Sequence, residues 1–295
     1  MNLLSVEEIA SKWGISTRSV RNYCALGRIP GAILVGKTWN IPEDSQKPDR
    51  KHRQAELPLS IADILLSEMQ GRISGGLYHQ VQIDLAYNSN HIEGSHLSHD
   101  QTRHIFETQT IGTLEPDMPV DDIIETANHF KCLDIVIESY MAQLNEAYIK
   151  RLHAQLKNGT TDSRKGWFAV GDYKCLPNEV GGRDTTHPKD VHKTMIDLLK
   201  DYKESKQSFE DIIDFHVRFE AIHPFQDGNG RVGRLILFKE CLKHNITPIL
   251  IDESLKFFYY QGITEWRHGI REYLMDTCRT GQDFFDKLMR RFGHK

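Results

Sequence analysis

AIHPFQDGNGRVGRLILFKECLK, residues 221–243, is the stretch that decides how this chain is read. Gly228, Asn229 and Gly230 stand directly before a run, Val232 to Leu242, that is periodic as a helix. Glycines at such a junction let successive backbone N–H groups turn toward one point. The helix N-terminus adds its partial positive charge, and the result is an anion-binding nest. Arg231 and Arg234 stand three residues apart near the helix start and project on nearby faces. Cations there work against the helix dipole, so they imply a strong anion, and a polyphosphate fits. Asp227, just before the nest, suits a hard divalent cation such as Mg²⁺ that also takes phosphate oxygens. His223, four residues upstream, places an imidazole where it can reach a nucleophile attacking the bound phosphate.

Outward from this stretch the pattern is mainly helical. Ile212, Phe215, Phe219 and Ile222 keep helical spacing up to the motif; Ile123, Ile124, Ala127, Phe130, Leu133, Ile135 and Val136 mark another helix, and Leu85, Ile92 and Leu97 a third segment. The exception is residues 167–188, rich in Gly, Pro and Asn, which read as a β-hairpin flap. At the other end, Val6, Ile9, Ala10 and Trp13 lie at helical spacing behind a capping box, Ser5 with Glu8. Gly14 permits a sharp turn, Ser16 caps a second helix over about 17–26, and AILVGKTWNIP reads as two short strands around a Gly-Lys turn. The fold class is therefore mainly α: a small winged helix-turn-helix domain over 1–44, a polar linker over 45–57, and a helical domain over 58–295.

Charge separates the same two parts. The chain carries a net charge of -4, yet residues 1–54 hold nine Lys/Arg against five Asp/Glu, and the remainder 28 against 36. A basic head on an acidic body implies different partners, with DNA a candidate for the head. Five scattered cysteines without C-x-x-C spacing argue for a reducing compartment. The N-terminus turns acidic too early for a signal peptide, and no apolar run is long enough to cross a bilayer. A cytoplasmic protein with no membrane partner is expected.

The 223–234 segment fills every specified position of H-x-F-x-[D/E]-G-N-G-R-x-x-R with His223, Phe225, Asp227, Gly228, Asn229, Gly230, Arg231 and Arg234. A chance match at one position is on the order of one in ten billion at ordinary residue frequencies. This is the Fic signature, and the chain resembles Fic proteins over about 75–275. The resemblance implies a transferase that moves AMP from ATP onto a Tyr, Ser or Thr hydroxyl of a protein, itself included. His223 would take the hydroxyl proton and Phe225 would hold the loop from inside. Asp227 would bind Mg²⁺, and Gly228, Asn229, Gly230, Arg231 and Arg234 would grip the phosphates. Val180, Gly181, Gly182, Arg183 and Asp184 would form the tip of a target-docking hairpin. Tyr259 and Tyr260 resemble a pair that packs near adenine, although Arg267 stands where related enzymes carry Asn.

Ser89-x-x-x-Glu93-Gly94 also fits the family's inhibitory motif. Ser89 and Glu93 are four apart and would share one helix face. The resemblance implies that Glu93 pairs with Arg234 and takes the place of the γ-phosphate. Another nucleotide donor, phosphate transfer and removal of AMP are alternatives within the same site. Residues 1–44 resemble the winged domains of MerR-like and excisionase-like proteins, which would put Ser16, Thr17, Arg18, Arg21 and Tyr23 on the exposed face of a recognition helix. A nucleotide-sensing transcription regulator is then the second reading, with a homodimer on half-sites about one helical turn apart. Recruitment of a target protein by the head is a third.

Overall fold

The computed structural model describes residues 3–48, 60–112 and 117–293. Residues 49–57 of the expected linker lie outside them. The chain begins with β1 (Leu3–Leu4), α1 (Val6–Trp13), α2 (Thr17–Ala25), β2 (Ile33–Val35) and β3 (Thr38–Pro42). The Ser5 hydroxyl accepts from the Glu8 N–H, and the Glu8 carboxylate accepts in return from the Ser5 N–H, so the capping box is complete. Gly14, at φ 64°, makes the left-handed turn between the helices. The strands form one antiparallel sheet in the order β1-β3-β2, with Leu4 opposite Ile41 and Leu34 opposite Trp39. Val6, Ile9, Ile15, Val20, Tyr23, Ile29 and Ile41 enclose a small core of their own.

This segment rests on the last helix of the chain, α12 (Glu272–Arg291), through α2. Tyr23 Oη donates to Asp276 at 2.9 Å, the Ser19 and Thr280 hydroxyls meet at 3.3 Å, and Asn22 Nδ2 donates to Asp283 at 3.1 Å. The Arg18 guanidinium lies 5.3 Å from the Phe284 ring centre. Two residues expected on an exposed recognition face are thereby corrected: Tyr23 and Ser16 are buried. The reason is that Asp276, Thr280 and Asp283 recur every three or four residues along α12 and present a polar stripe to that face. Thr17 and Arg18 are half-buried, and Arg21 is exposed and paired with Glu7 at 3.0 Å. Tyr23→Phe should lower stability by about 1.5–3 kcal/mol, the contribution of a hydrogen bond to a charged group. Urea midpoints of the two proteins measure it, and coincident midpoints would show that the contact contributes nothing.

The body comprises α3 (Ile61–Gln70), α4 (Leu77–Ile92), α5 (His99–Thr108), α6 (Val120–Glu138), α7 (Glu146–Leu156), the hairpin β4 (Glu179–Val180) and β5 (Arg183–Asp184), α8 (Pro188–Glu204), α9 (Phe209–Ile222), α10 (Asn229–Lys243), α11 (Glu253–Arg267) and α12. Serine capping boxes start α3, α5 and α9. The central helix is α10: Val232, Leu235, Ile236, Leu237, Phe238, Cys241 and Leu242 are all buried. A helix buried nearly all round, its charged Arg231, Lys239 and Glu240 included, belongs at the centre of a bundle, and α10 packs against α4, α6, α7 and α9. Of the flap expected over 167–188, only β4 and β5 pair as a hairpin, with Val180 opposite Arg183 and Gly181-Gly182 at positive φ in the turn; the rest is irregular. Among the described residues no helix is long and apolar enough to cross a membrane.

Candidate active site

α10 differs from the capped helices in one respect. Its N-cap is Gly228, at φ 79°, and no side chain caps it. The first N–H groups of a helix lack intrahelical partners, so this end is left open to an anion. The preceding loop is fixed from below. Phe225 is fully buried, and His153 of α7 stacks on it with ring centres 4.0 Å apart. His153 Nδ1 accepts from the Gly171 N–H at 3.0 Å, which leaves Nε2 to donate to the Asp227 carbonyl at 3.2 Å. Burial keeps this imidazole neutral, lowering its pKa to about 4.

The Asn229 side chain ties the loop to itself. Its Oδ1 accepts from the Phe225 N–H at 2.7 Å and its Nδ2 donates to the Phe225 carbonyl at 2.8 Å. The buried amide thus bonds Phe225 in both directions and closes the loop.

His223 ends α9 in the left-handed conformation, φ 51° and ψ 61°. Non-glycine residues held there carry strain and concentrate at functional sites. Its Nδ1 is buried, 4.0 Å from the Glu220 carboxylate, and Nε2 is the ring nitrogen not sealed away. Burial, then the charge of Lys174, lowers the His223 pKa to about 4, so the ring is neutral near pH 7. Lys174 itself is buried. It donates to Asn178 at 2.6 Å and Thr185 at 2.5 Å, tying the base of the flap to the end of α9 through the Ile222 carbonyl.

Asp227 and Arg231 belong to a wider ion network. Lys157, at the end of α7, donates to Asp227 Oδ2 at 2.7 Å, to Glu125 at 2.5 Å and to Asp162 at 3.1 Å. Arg231 bonds Glu125 and also Asp227 Oδ2, the latter at 3.2 Å. Burial acts to raise the Asp227 pKa, but Arg231 and Lys157 outweigh it and hold the carboxyl well below the usual range. Glu125, Lys157, Lys174 and His153 lie outside the 223–234 signature and escape a reading confined to it. For Glu125 and His153 the one signal is a polar or charged residue on the buried face of a helix; Lys157, just after α7, and Lys174, in the loop before the hairpin, carry no such signal.

Arg234 is bound from above by α4. Its Nε donates to Ser89 Oγ at 3.0 Å, and Nη2 donates to the Ser89 carbonyl at 2.8 Å and to Glu93 Oε1 at 2.7 Å. Burial disfavours the guanidinium charge, and Glu93 overrides that and raises the Arg234 pKa. Glu93 is the C-cap of α4 rather than a residue within it. A Cβ built on Gly230 would lie 2.2 Å from Glu93 Oε1. The carboxylate therefore sits over the open start of α10, where an anion is expected. The neighbouring tyrosines part company. Tyr259 is buried and shares a 2.5 Å hydrogen bond with His216, while Tyr260 is 40% exposed. Arg267 is exposed at the end of α11, near enough to Arg183 of the flap for the two charges to oppose each other. The hairpin tip, Val180 to Asp184, is exposed throughout.

The architecture defines a helical domain built around a glycine-opened anion nest. Residues 143–240 match the model of the Fic/DOC family. Among curated relatives, "Protein adenylyltransferase Fic" of Nematostella vectensis is 23% identical over 209 residues, covering 69% of this chain and 48% of that protein. The Aedes aegypti protein of the same name is 27% identical over 203 residues, covering 64% and 38%. This chain thus spans about half, or less, of the length of these relatives. Among solved structures, a Fic domain-containing signalling protein from Bacteroides thetaiotaomicron shares the fold with a TM-score of 0.60 and 21% identity, covering 77% of this chain and 92% of that one. Fic-1 from C. elegans does so with a TM-score of 0.61 and 18% identity, covering 79% and 71%.

Proposed function

We propose that this chain transfers AMP from Mg²⁺-ATP to a hydroxyl side chain of a protein and that Glu93 restrains it. The observation that carries the reading is the uncapped Gly228–Gly230 helix start, placed between a neutral His223 and the Arg234 guanidinium. The names of the curated relatives point the same way. In the reaction, Nε2 of His223 takes the proton of the target hydroxyl, whose oxygen attacks the α-phosphorus. The bond to the bridging oxygen breaks and pyrophosphate leaves. The backbone N–H groups at Gly228 and Gly230 hold the phosphates, with Arg231 beside them, and Arg234 takes the γ-phosphate once Glu93 withdraws. Asp227 fits Mg²⁺ as a single carboxylate beside a phosphate site, and the ion would neutralise charge on the α- and β-phosphates. Tyr260, the exposed member of its pair, borders the nucleobase. The exposed edge of β4 and β5 lets an extended target segment add by main-chain hydrogen bonds, with one hydroxyl left in register.

The test uses the Glu93→Gly protein, Mg²⁺, cell lysate and ATP labelled at either the α- or the γ-phosphate. Protein-bound label from the α position alone is expected. Label from the γ position would instead mean phosphate transfer, and label from neither would sink the reading.

A further inference from the structure

Lys157 is buried, 1% exposed, and it lies beside the nest rather than in it. Three carboxylates surround its ammonium: Asp227 at 2.7 Å, Glu125 at 2.5 Å and Asp162 at 3.1 Å. Its stem passes 3.6 Å from the position a Cβ on Gly228 would take. The Asp227 side chain, in contrast, is 51% exposed, so one flank meets Lys157 and the other is open. The hydrogen bonds from both Lys157 and Arg231 go to Oδ2. Neither donates to Oδ1.

The charges of this cluster balance. Lys157, Arg231 and Lys165 face Glu125, Asp162 and Asp227, with Lys165 bound to Asp162 at 2.6 Å. A balanced cluster offers a free divalent cation little net attraction, because each carboxylate's field is cancelled at short range. Bringing in a triphosphate adds negative charge on the open flank. Among the described residues no group of three His, Cys, Asp or Glu side chains is arranged to hold a metal, and Lys157 occupies the point on which three carboxylates converge.

We propose that Lys157 is the resident cation of the metal site: it orients Asp227 through Oδ2 and prevents a divalent ion from binding until nucleotide phosphates arrive. Lys157 is a positioning residue in this scheme, since it acts on the metal through Asp227 and not on the reacting atoms. The proposal rests on reading Asp227 as the metal ligand. It makes metal entry dependent on the nucleotide, so that the site is not filled by free divalent ions between turnovers.

The probe is Mn²⁺ without nucleotide, followed by the loss of its free electron-paramagnetic-resonance signal. The full chain should bind it weakly, and addition of a non-hydrolysable ATP analogue to Glu93→Gly should tighten binding by at least about tenfold, since the analogue adds charge on the open flank. Lys157→Gln leaves the cluster one positive charge short and should bind Mn²⁺ without nucleotide about tenfold or more tighter than the parent. Lys157→Arg should restore weak binding, and Asp227→Asn added to Lys157→Gln should abolish the gain. A merely structural lysine would not produce tighter metal binding on removal. A folded Lys157→Gln that binds no better than the parent overturns the proposal, as does equal binding by Lys157→Arg and Lys157→Gln. Should Lys157→Gln fail to fold, tight nucleotide-free binding of Mn²⁺ by the unsubstituted chain overturns it by itself. None of these readings needs AMP transfer, so failure of the transfer reading, seen as absent α-label, stays separate.

Discussion

His223→Ala, made in the Glu93→Gly background, should lower single-turnover AMP transfer by about 10²–10⁴-fold, the usual contribution of a positioned base, while ATP affinity by calorimetry stays within a few-fold. The separation follows from where the groups stand. The phosphates would be held by the α10 N-terminus and Arg234, which come after the loop. His223 closes α9, before it, and donates only its backbone N–H to that helix, at 2.9 Å from the Phe219 carbonyl. Its ring is neutral because burial and Lys174 disfavour the protonated form, with a pKa lowered to about 4. A neutral imidazole can accept a proton near pH 7 without first losing one. Alanine keeps the loop's main features, since Phe225 and Asn229 fix it independently. A thermal melt checks that the variant is folded. If ATP binding and transfer disappear together in a folded variant, His223 is part of the binding surface and not the base.

How much of this was legible in the sequence depended on whether a residue's partner was local. The nest was, because Gly228 and Gly230 act through their own backbone and the helix they begin. The flap was too, since a Gly-Gly turn between short strands specifies its own geometry. Long-range partners left weaker traces. Lys157 lies 70 positions from Asp227 and 32 from Glu125, and nothing in the lysine's neighbourhood announces three carboxylates. The bonds that Asn229 makes to both the N–H and the carbonyl of Phe225 were not legible either, although the two residues are only four apart. The Tyr23 error, like Lys157, turns on a distant partner. A short amphipathic helix has two polar flanks, and which of them is solvated is decided by α12, more than 250 residues later in the sequence. Local pattern gave the helix correctly and could not give its neighbour.

Glu93→Gly should raise AMP transfer on the order of 10–100-fold, with self-modification rising in step. The estimate comes from the bonds to be undone. Hydrogen bonds to charged groups contribute roughly 1.5–3 kcal/mol each, and each 1.36 kcal/mol is about a factor of ten in rate or population. The Glu93 carboxylate holds Arg234 Nη2 at 2.7 Å and lies over Gly230, so on the proposed reading it would oppose a γ-phosphate twice. It would occupy the cation proposed for that phosphate, and it would place negative charge at the helix start proposed to receive it. Removing it costs the fold little, because Ser89 still accepts two hydrogen bonds from Arg234 through its hydroxyl and carbonyl. Glu93 is the C-cap of α4, where glycine is readily tolerated. Glu93→Gln is the informative companion. It keeps the side chain's volume and loses the charge, so an intermediate rate is expected if charge competition with the γ-phosphate is the cause. Were the glutamine form as slow as the parent, obstruction by bulk over Gly230 would be the cause. Were the glycine form no faster than the parent at saturating ATP, Glu93 would not restrain transfer at all.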